Sequence, residues 1–157
     1  MQQIQLPKLR KINTSLSTSK EGYIPRKERK KIMMLSDDIR THSGVGNMAK
    51  EIILNSAHCF NWINLGGAVK HPEAGKGFDI SPDVNSETGL TDADVKVFAV
   101  NGYGDSNMLR NVINQEKPDA IVHFTDPRYW VWMYQMENEI RQHCPLIFYT
   151  IWDDLPY

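Results

Sequence analysis

An α/β fold is the class this sequence predicts: a Rossmann-like open parallel sheet with helices on both faces, preceded by a mostly irregular basic arm. Three observations point there. Short, unalternating apolar runs recur along residues 31–151, as strands buried on both faces require. Segments of helical period separate them. Gly, Pro, Asp and Asn cluster where each run stops.

The elements follow in order. Ile32-Met33-Met34-Leu35 is the first run, ended by Ser36-Asp37-Asp38. Val45, Met48, Ala49, Ile52 and Ile53 then fall at helical spacing, with Ser43 placed to cap the helix. Phe60 to Leu65 reads as the second strand, stopped by Gly66-Gly67. The polar stretch from Val69 to Asp94, with Pro72, Gly75, Gly77, Pro82 and Gly89, reads as loop or insertion with room for a small hairpin. Val95 to Val100 is the third strand, and Asp105 or Ser106 caps a helix to about Gln115. Ala120 to Phe124 is the fourth strand. Pro127 opens one long helix over 128–142, and Leu146 to Ile151 is the fifth strand.

The chain's 157 residues suit one domain with a real core. Hydrophobic residues make up 41% and charged residues 24%, the balance of an ordinary globular protein. No apolar run reaches the ~20 residues of a membrane helix. Cys59 and Cys144 make neither a disulfide framework nor a metal-ligand spacing, so a reducing, cytoplasmic setting is expected and no metal. The net charge of −1 hides an asymmetry: residues 1–31 carry nine Lys or Arg against Glu21 and Glu28. Such an arm reads as a solvated leader, with nucleic acid as the alternative partner. Tyr23 is its lone aromatic residue, which gives little surface for base stacking.

Ligands of an open parallel sheet bind at the carboxyl ends of its strands. That rule selects Asp37 and Asp38, the loop 101–105, His123 to Arg128, and Trp152 to Asp154. Gly44-Val45-Gly46-Asn47-Met48-Ala49 matches the Gly-x-Gly-x-x-Ala form of the dinucleotide fingerprint. Glycine there admits a phosphate to the helix N-terminus. The glycines lie several residues beyond the strand, however, and no acidic residue ends the second strand, so a nicotinamide or flavin oxidoreductase is the weaker reading. Asp126 reads equally as a cap and His123 as a core histidine. The aromatic helix bearing Tyr129, Trp130, Trp132 and Tyr134 reads first as core.

Three segments together resemble the nucleotide-sugar glycosyltransferases of the GT-B fold. Met33 to Lys50 is similar to their opening strand, Ser-Gly-Val-Gly loop and helix. Lys117 to Arg128 is similar to their Lys-Pro-Asp segment ending in His-x-His-Glu-Pro, with Thr125 where the second His would stand. Pro145 to Tyr157 is similar to their strand leading to His-Asp. The resemblance implies that residues 31–157 form the acceptor-side domain and that the C-terminal donor domain is absent. It implies catalytic roles for His123 and Asp126, and diphosphate or substrate contacts from Gly44, Val45, Gly46, Asp153 and Asp154. It implies no cofactor beyond a nucleotide-sugar co-substrate, a hydroxyl acceptor, and a missing domain or partner subunit. The chain alone is then expected to be inactive and to self-associate through an apolar flank. The alternative is a non-enzymatic Rossmann-like binding or assembly module.

Overall fold

The computed structural model describes residues 21–151, so the first twenty residues of the basic arm and residues 152–157 lie outside it. Among the described residues, strands β1 (Lys30–Asp37), β2 (Phe60–Val69), β3 (Gly77–Asp79), β4 (Val95–Asn101), β5 (Ala120–Thr125) and β6 (Leu146–Thr150) form one sheet in the order β3-β4-β2-β1-β5-β6. All neighbours run parallel except the edge strand β3, which is antiparallel to β4. The fold is therefore an α/β Rossmann-like sheet. Leaving β3 aside, the chain winds outward from β1 in both directions, the doubly wound pattern.

Side-chain alternation along the strands sorts the core into two layers. Met33, Leu35, Ile63, Leu65, Phe98 and Val100 point to one face, under α3 (Ser106–Glu116), α4 (Val131–Gln135) and α5 (Glu137–His143). Met34, Trp62, Val95, Val97 and Phe124 point to the other, under α1 (Gly44–Ser56) and α2 (Ser81–Thr88). The short apolar runs are unalternating because both faces are covered.

Three elements differ from the sequence expectation. Gly66-Gly67 does not stop β2, which continues to Val69. The polar stretch after β2 holds β3 and also α2, which begins at Ser81-Pro82 and ends on Gly89 at φ 74°. The single helix expected over 128–142 is broken into a 3₁₀ turn at Pro127–Tyr129, α4 and α5. Its buried residues are Trp130, Met133, Met136 and Ile140, at steps of three, three and four. Two successive steps of three suit 3.0 residues per turn better than 3.6, and the chain tightens there.

The segment leading into β1 is fastened by charge. The Arg29 side chain is fully buried; it donates to Asp92 at 2.7 and 2.8 Å and to the carbonyls of Ile24 and Asp92. Glu116, on α3, accepts from Lys96 of β4 at 2.9 Å and from Lys31 of β1 at 3.3 Å. Burial alone would raise the Glu116 pKa, but the two ammonium groups outweigh it and hold the carboxyl below its ordinary value.

Candidate functional site

The order in which the chain adds strands reverses between the parallel neighbours β1 and β5, and the crevice beyond their carboxyl ends is where a doubly wound fold takes a ligand. Four strand tips meet there. Ser36 and Asp37 of β1 lie in register with Gly66 and Gly67 of β2. Asn64, fully buried on β2, donates to Ser36 Oγ at 2.9 Å and accepts from the Ile39 N–H at 3.2 Å, which pins the turn after β1. That turn presses on the second strand: a Cβ on Gly66 would stand 2.7 Å from Asp38 Cα, and one on Gly67 2.9 Å from the Tyr103 ring. The two glycines end no strand. They let two loops cross its tip.

Asp37 is buried at the rim, and the Ser43 hydroxyl donates to it at 2.6 Å. Ser43 Oγ accepts in turn from the Gly46 N–H at 2.8 Å, as an N-cap does, so one hydroxyl ties β1 to the start of α1. The neighbouring carboxylate of Asp38 is neutralised by Arg40 at 2.6 and 2.9 Å. Gly46 is required by packing, since a Cβ would stand 2.9 Å from the Asp38 carbonyl, Ser43 Oγ and Thr41 Oγ1. Gly44 is not: a Cβ there would meet nothing within 4 Å. Gly44 and Val45 begin α1, where backbone N–H groups have no partner within the helix.

From the other side of the crevice, Asp126 caps the turn after β5, accepting from the Arg128 N–H at 2.9 Å and pairing with its guanidinium. The hydrogen bond from the Arg128 side chain is the main reason its carboxyl sits below the usual range. Tyr103, after β4, stacks on Tyr129, with ring centroids 4.7 Å apart and planes 10° from parallel. Burial, and then the charge of Asp37, raise the Tyr103 pKa, with smaller contributions from Tyr129 and Asp126. One ring thus lies within electrostatic reach of both walls. Tyr129 leaves 54% of its surface exposed, an aromatic face open to a ligand. The loop that carries Tyr103 was among the strand tips selected from sequence, but its stacking on Tyr129 was not anticipated, because the aromatic residues after Pro127 read first as core.

Of the sequence-selected residues, Gly44, Val45, Gly46 and Asp126 stand at this rim, and Asp153 and Asp154 lie outside the described residues. His123 lies on β5 beneath the rim, 0% exposed, among the rings of Trp130, Tyr134 and Phe148 at 5.4 to 6.1 Å. Neither ring nitrogen has a hydrogen-bond partner among the described residues, and burial lowers its pKa to about 4. It is a neutral core imidazole at ordinary pH. No group of three or more His, Cys, Asp or Glu suited to a metal occurs among the described residues, and no helix there is long and apolar enough to cross a membrane.

No protein-family model matches the chain, and no curated protein does. Among solved structures, the chain is similar to a protein from the universal stress protein family from Burkholderia pseudomallei, at 13% identity and a TM-score of 0.43, over 76% of this chain and 96% of that one. The expected membership among GT-B glycosyltransferases is corrected by these findings: the match found is to a different family, and glycosyl transfer is withdrawn as the reading. The catalytic roles of His123 and Asp126 lose their ground with it, because the resemblance alone implied them.

Proposed function

We propose that this domain is a non-enzymatic binding module whose ligand sits in the crevice between β1 and β5. The ligand class is a small molecule with a hydroxylated ring and a phosphate. One observation carries the reading: α1's first N–H groups, the Asp37 carboxylate and the open face of Tyr129 converge at the point where the strand order reverses. Each feature suits a different part of such a ligand. Free N–H groups at a helix start, beside a glycine whose Cβ space is empty, favour a phosphate. A carboxylate accepts from ring hydroxyls, and a tyrosine face covers a flat or apolar ring surface. Asp38 and Asp126 are already neutralised by Arg40 and Arg128, which leaves Asp37 as the carboxylate for hydroxyl recognition.

Titration of the full chain with a nucleoside monophosphate, the matching nucleoside and inorganic phosphate, followed by amide NMR, tests this. The monophosphate is expected to move the Gly44, Val45 and Tyr103 amides saturably and at lower concentration than either part. Saturation by none of the three, or shifts confined to residues away from the β1–β5 crevice, sinks the proposal.

A further inference from the structure

A second hollow lies away from the strand-tip crevice, between α1 and α2. It is a cavity of about 170 Å³ with an open mouth. Its floor is aliphatic: Ile39 from the turn after β1, Ile53 and Leu54 from α1, and Ile80 and Val84 from the start of α2. Four of these five side chains are otherwise buried, so the hollow reaches the core layer on this face and is more than a surface dimple. Protein interiors seldom leave apolar space larger than a water molecule. An apolar space of ~150 Å³ hydrates poorly and accepts a small hydrocarbon.

The mouth states what else the occupant carries. Lys50 and Glu87 neutralise each other across it at 3.0 Å, and Arg40 is held by Asp38. Asp83, in the first turn of α2, also lines the hollow and has no ion-pair or hydrogen-bond partner among the described residues. One uncompensated negative charge therefore stands over an aliphatic floor.

We propose that this hollow is a binding site for a small aliphatic primary amine, its branched or linear tail on Ile53, Leu54 and Val84 and its ammonium on Asp83. A branched tail of about five carbons is of the size that an apolar space of ~150 Å³ accepts, and the open mouth leaves its amine end in reach of Asp83. The charge pattern distinguishes the amine from the corresponding alcohol or carboxylate. An alcohol gains only the floor, and a carboxylate meets Asp83 as a like charge.

The test uses the full chain and three probes with one tail: isopentylamine, isopentanol and isocaproate, each titrated while the Ile53, Leu54 and Val84 amide signals are followed. The amine is expected to saturate at the lowest concentration, the alcohol next and the carboxylate last. D83N, an exposed and unpartnered position whose change should leave folding intact, should bring amine affinity down about threefold to that of the alcohol, the share of a solvent-exposed ion pair. V84F should fill the space and abolish binding of all three; if it unfolds, I80F at the rim of the floor serves the same purpose. Equal affinity for amine and alcohol, tightest binding by the carboxylate, no effect of D83N on the amine, or no saturation by any probe overturns the proposal.

Discussion

Replacing His123 by Phe should both stabilise the domain and flatten the pH dependence of its stability in mild acid. The imidazole is fully enclosed, ringed by Trp130, Tyr134 and Phe148, and neither nitrogen has a hydrogen-bond partner among the described residues. Burial disfavours the charged form, so the folded-state pKa falls from 6.5 to about 4. An unfolded chain takes up this proton near pH 6.5, while the folded chain takes it up only near pH 4. Between those values the unfolded state binds more protons, and stability drops as pH falls. The contribution is complete above pH 6.5 and gone below about pH 4. A shift of this size is worth about 3 kcal/mol at the acid end, at about 1.4 kcal/mol per unit. Phe keeps an aromatic ring in the cage and does not titrate. It also removes two desolvated, unpaired nitrogens, which should add about 1 kcal/mol at neutral pH. Urea unfolding of wild type and H123F at half-unit steps from pH 4 to 7 measures both effects. Carboxylates held low, such as Glu116 and Asp119, begin to lose their own contribution below about pH 5, in both proteins alike, so the difference in slope between wild type and variant reports His123. Parallel slopes for the two proteins across the window, or a variant less stable than wild type at pH 7, would refute the reasoning.

Four further outcomes follow from the same geometry. G46A should cost about 1–3 kcal/mol, because its Cβ would meet three oxygens at 2.9 Å, whereas G44A should fold with at most about 1 kcal/mol change; thermal unfolding of the pair decides it. G44A should nonetheless weaken phosphate-bearing ligands at the α1 N-terminus, and equal affinities for wild type and G44A would count against the crevice as their site. R29A should lose about 2–3 kcal/mol in denaturant unfolding, since a fully buried guanidinium and its bonds to Asp92 and the Ile24 carbonyl vanish together; a loss under 1 kcal/mol would show that the anchor is replaceable. Self-association through the edge strand β6 should show in sedimentation velocity and weaken in Y149K, because Tyr149 and Ile147 are 63% and 52% exposed on a strand with no charged residue.

The layers of this fold were legible because strand burial on two faces and helical period leave opposite marks in sequence. Met33 and Met34 are adjacent yet serve different cores, and only a sheet covered on both sides requires that. Ser43 and Asp105 were recognisable as caps because a short side chain that accepts from the helix's first N–H groups acts locally. What was not legible depends on contacts between distant segments. Gly66 and Gly67 resemble a strand terminator in sequence, and only the approach of Asp38 and Tyr103 shows why glycine continues the strand there. The break at Met136 involves neither Gly nor Pro; it comes from which four side chains the core accepts. The same limit applies to the site. Gly44 and Gly46 look equivalent in a Gly-x-Gly motif, but one is held by three oxygens and the other faces open space.

That inequality bears on how such motifs should be weighed. A Gly-x-Gly at a helix start satisfies two separate demands, close packing against the preceding turn and open access for a ligand, and sequence cannot separate them. Here the turn after β1 is pinned by Asn64 and Ser43, and those contacts account fully for Gly46. Nothing in the packing of the described residues accounts for Gly44. A residue unconstrained by its neighbours, at the point where the strand order reverses and beside Asp37, is where selection for a ligand would act if selection for the fold does not. The glycosyltransferase resemblance drew on both glycines equally, together with His123. Two of those three residues are explained by packing alone, since the imidazole is walled in by rings and Gly46 by oxygens. A short motif shared between families therefore carries functional weight only at the positions that packing leaves free.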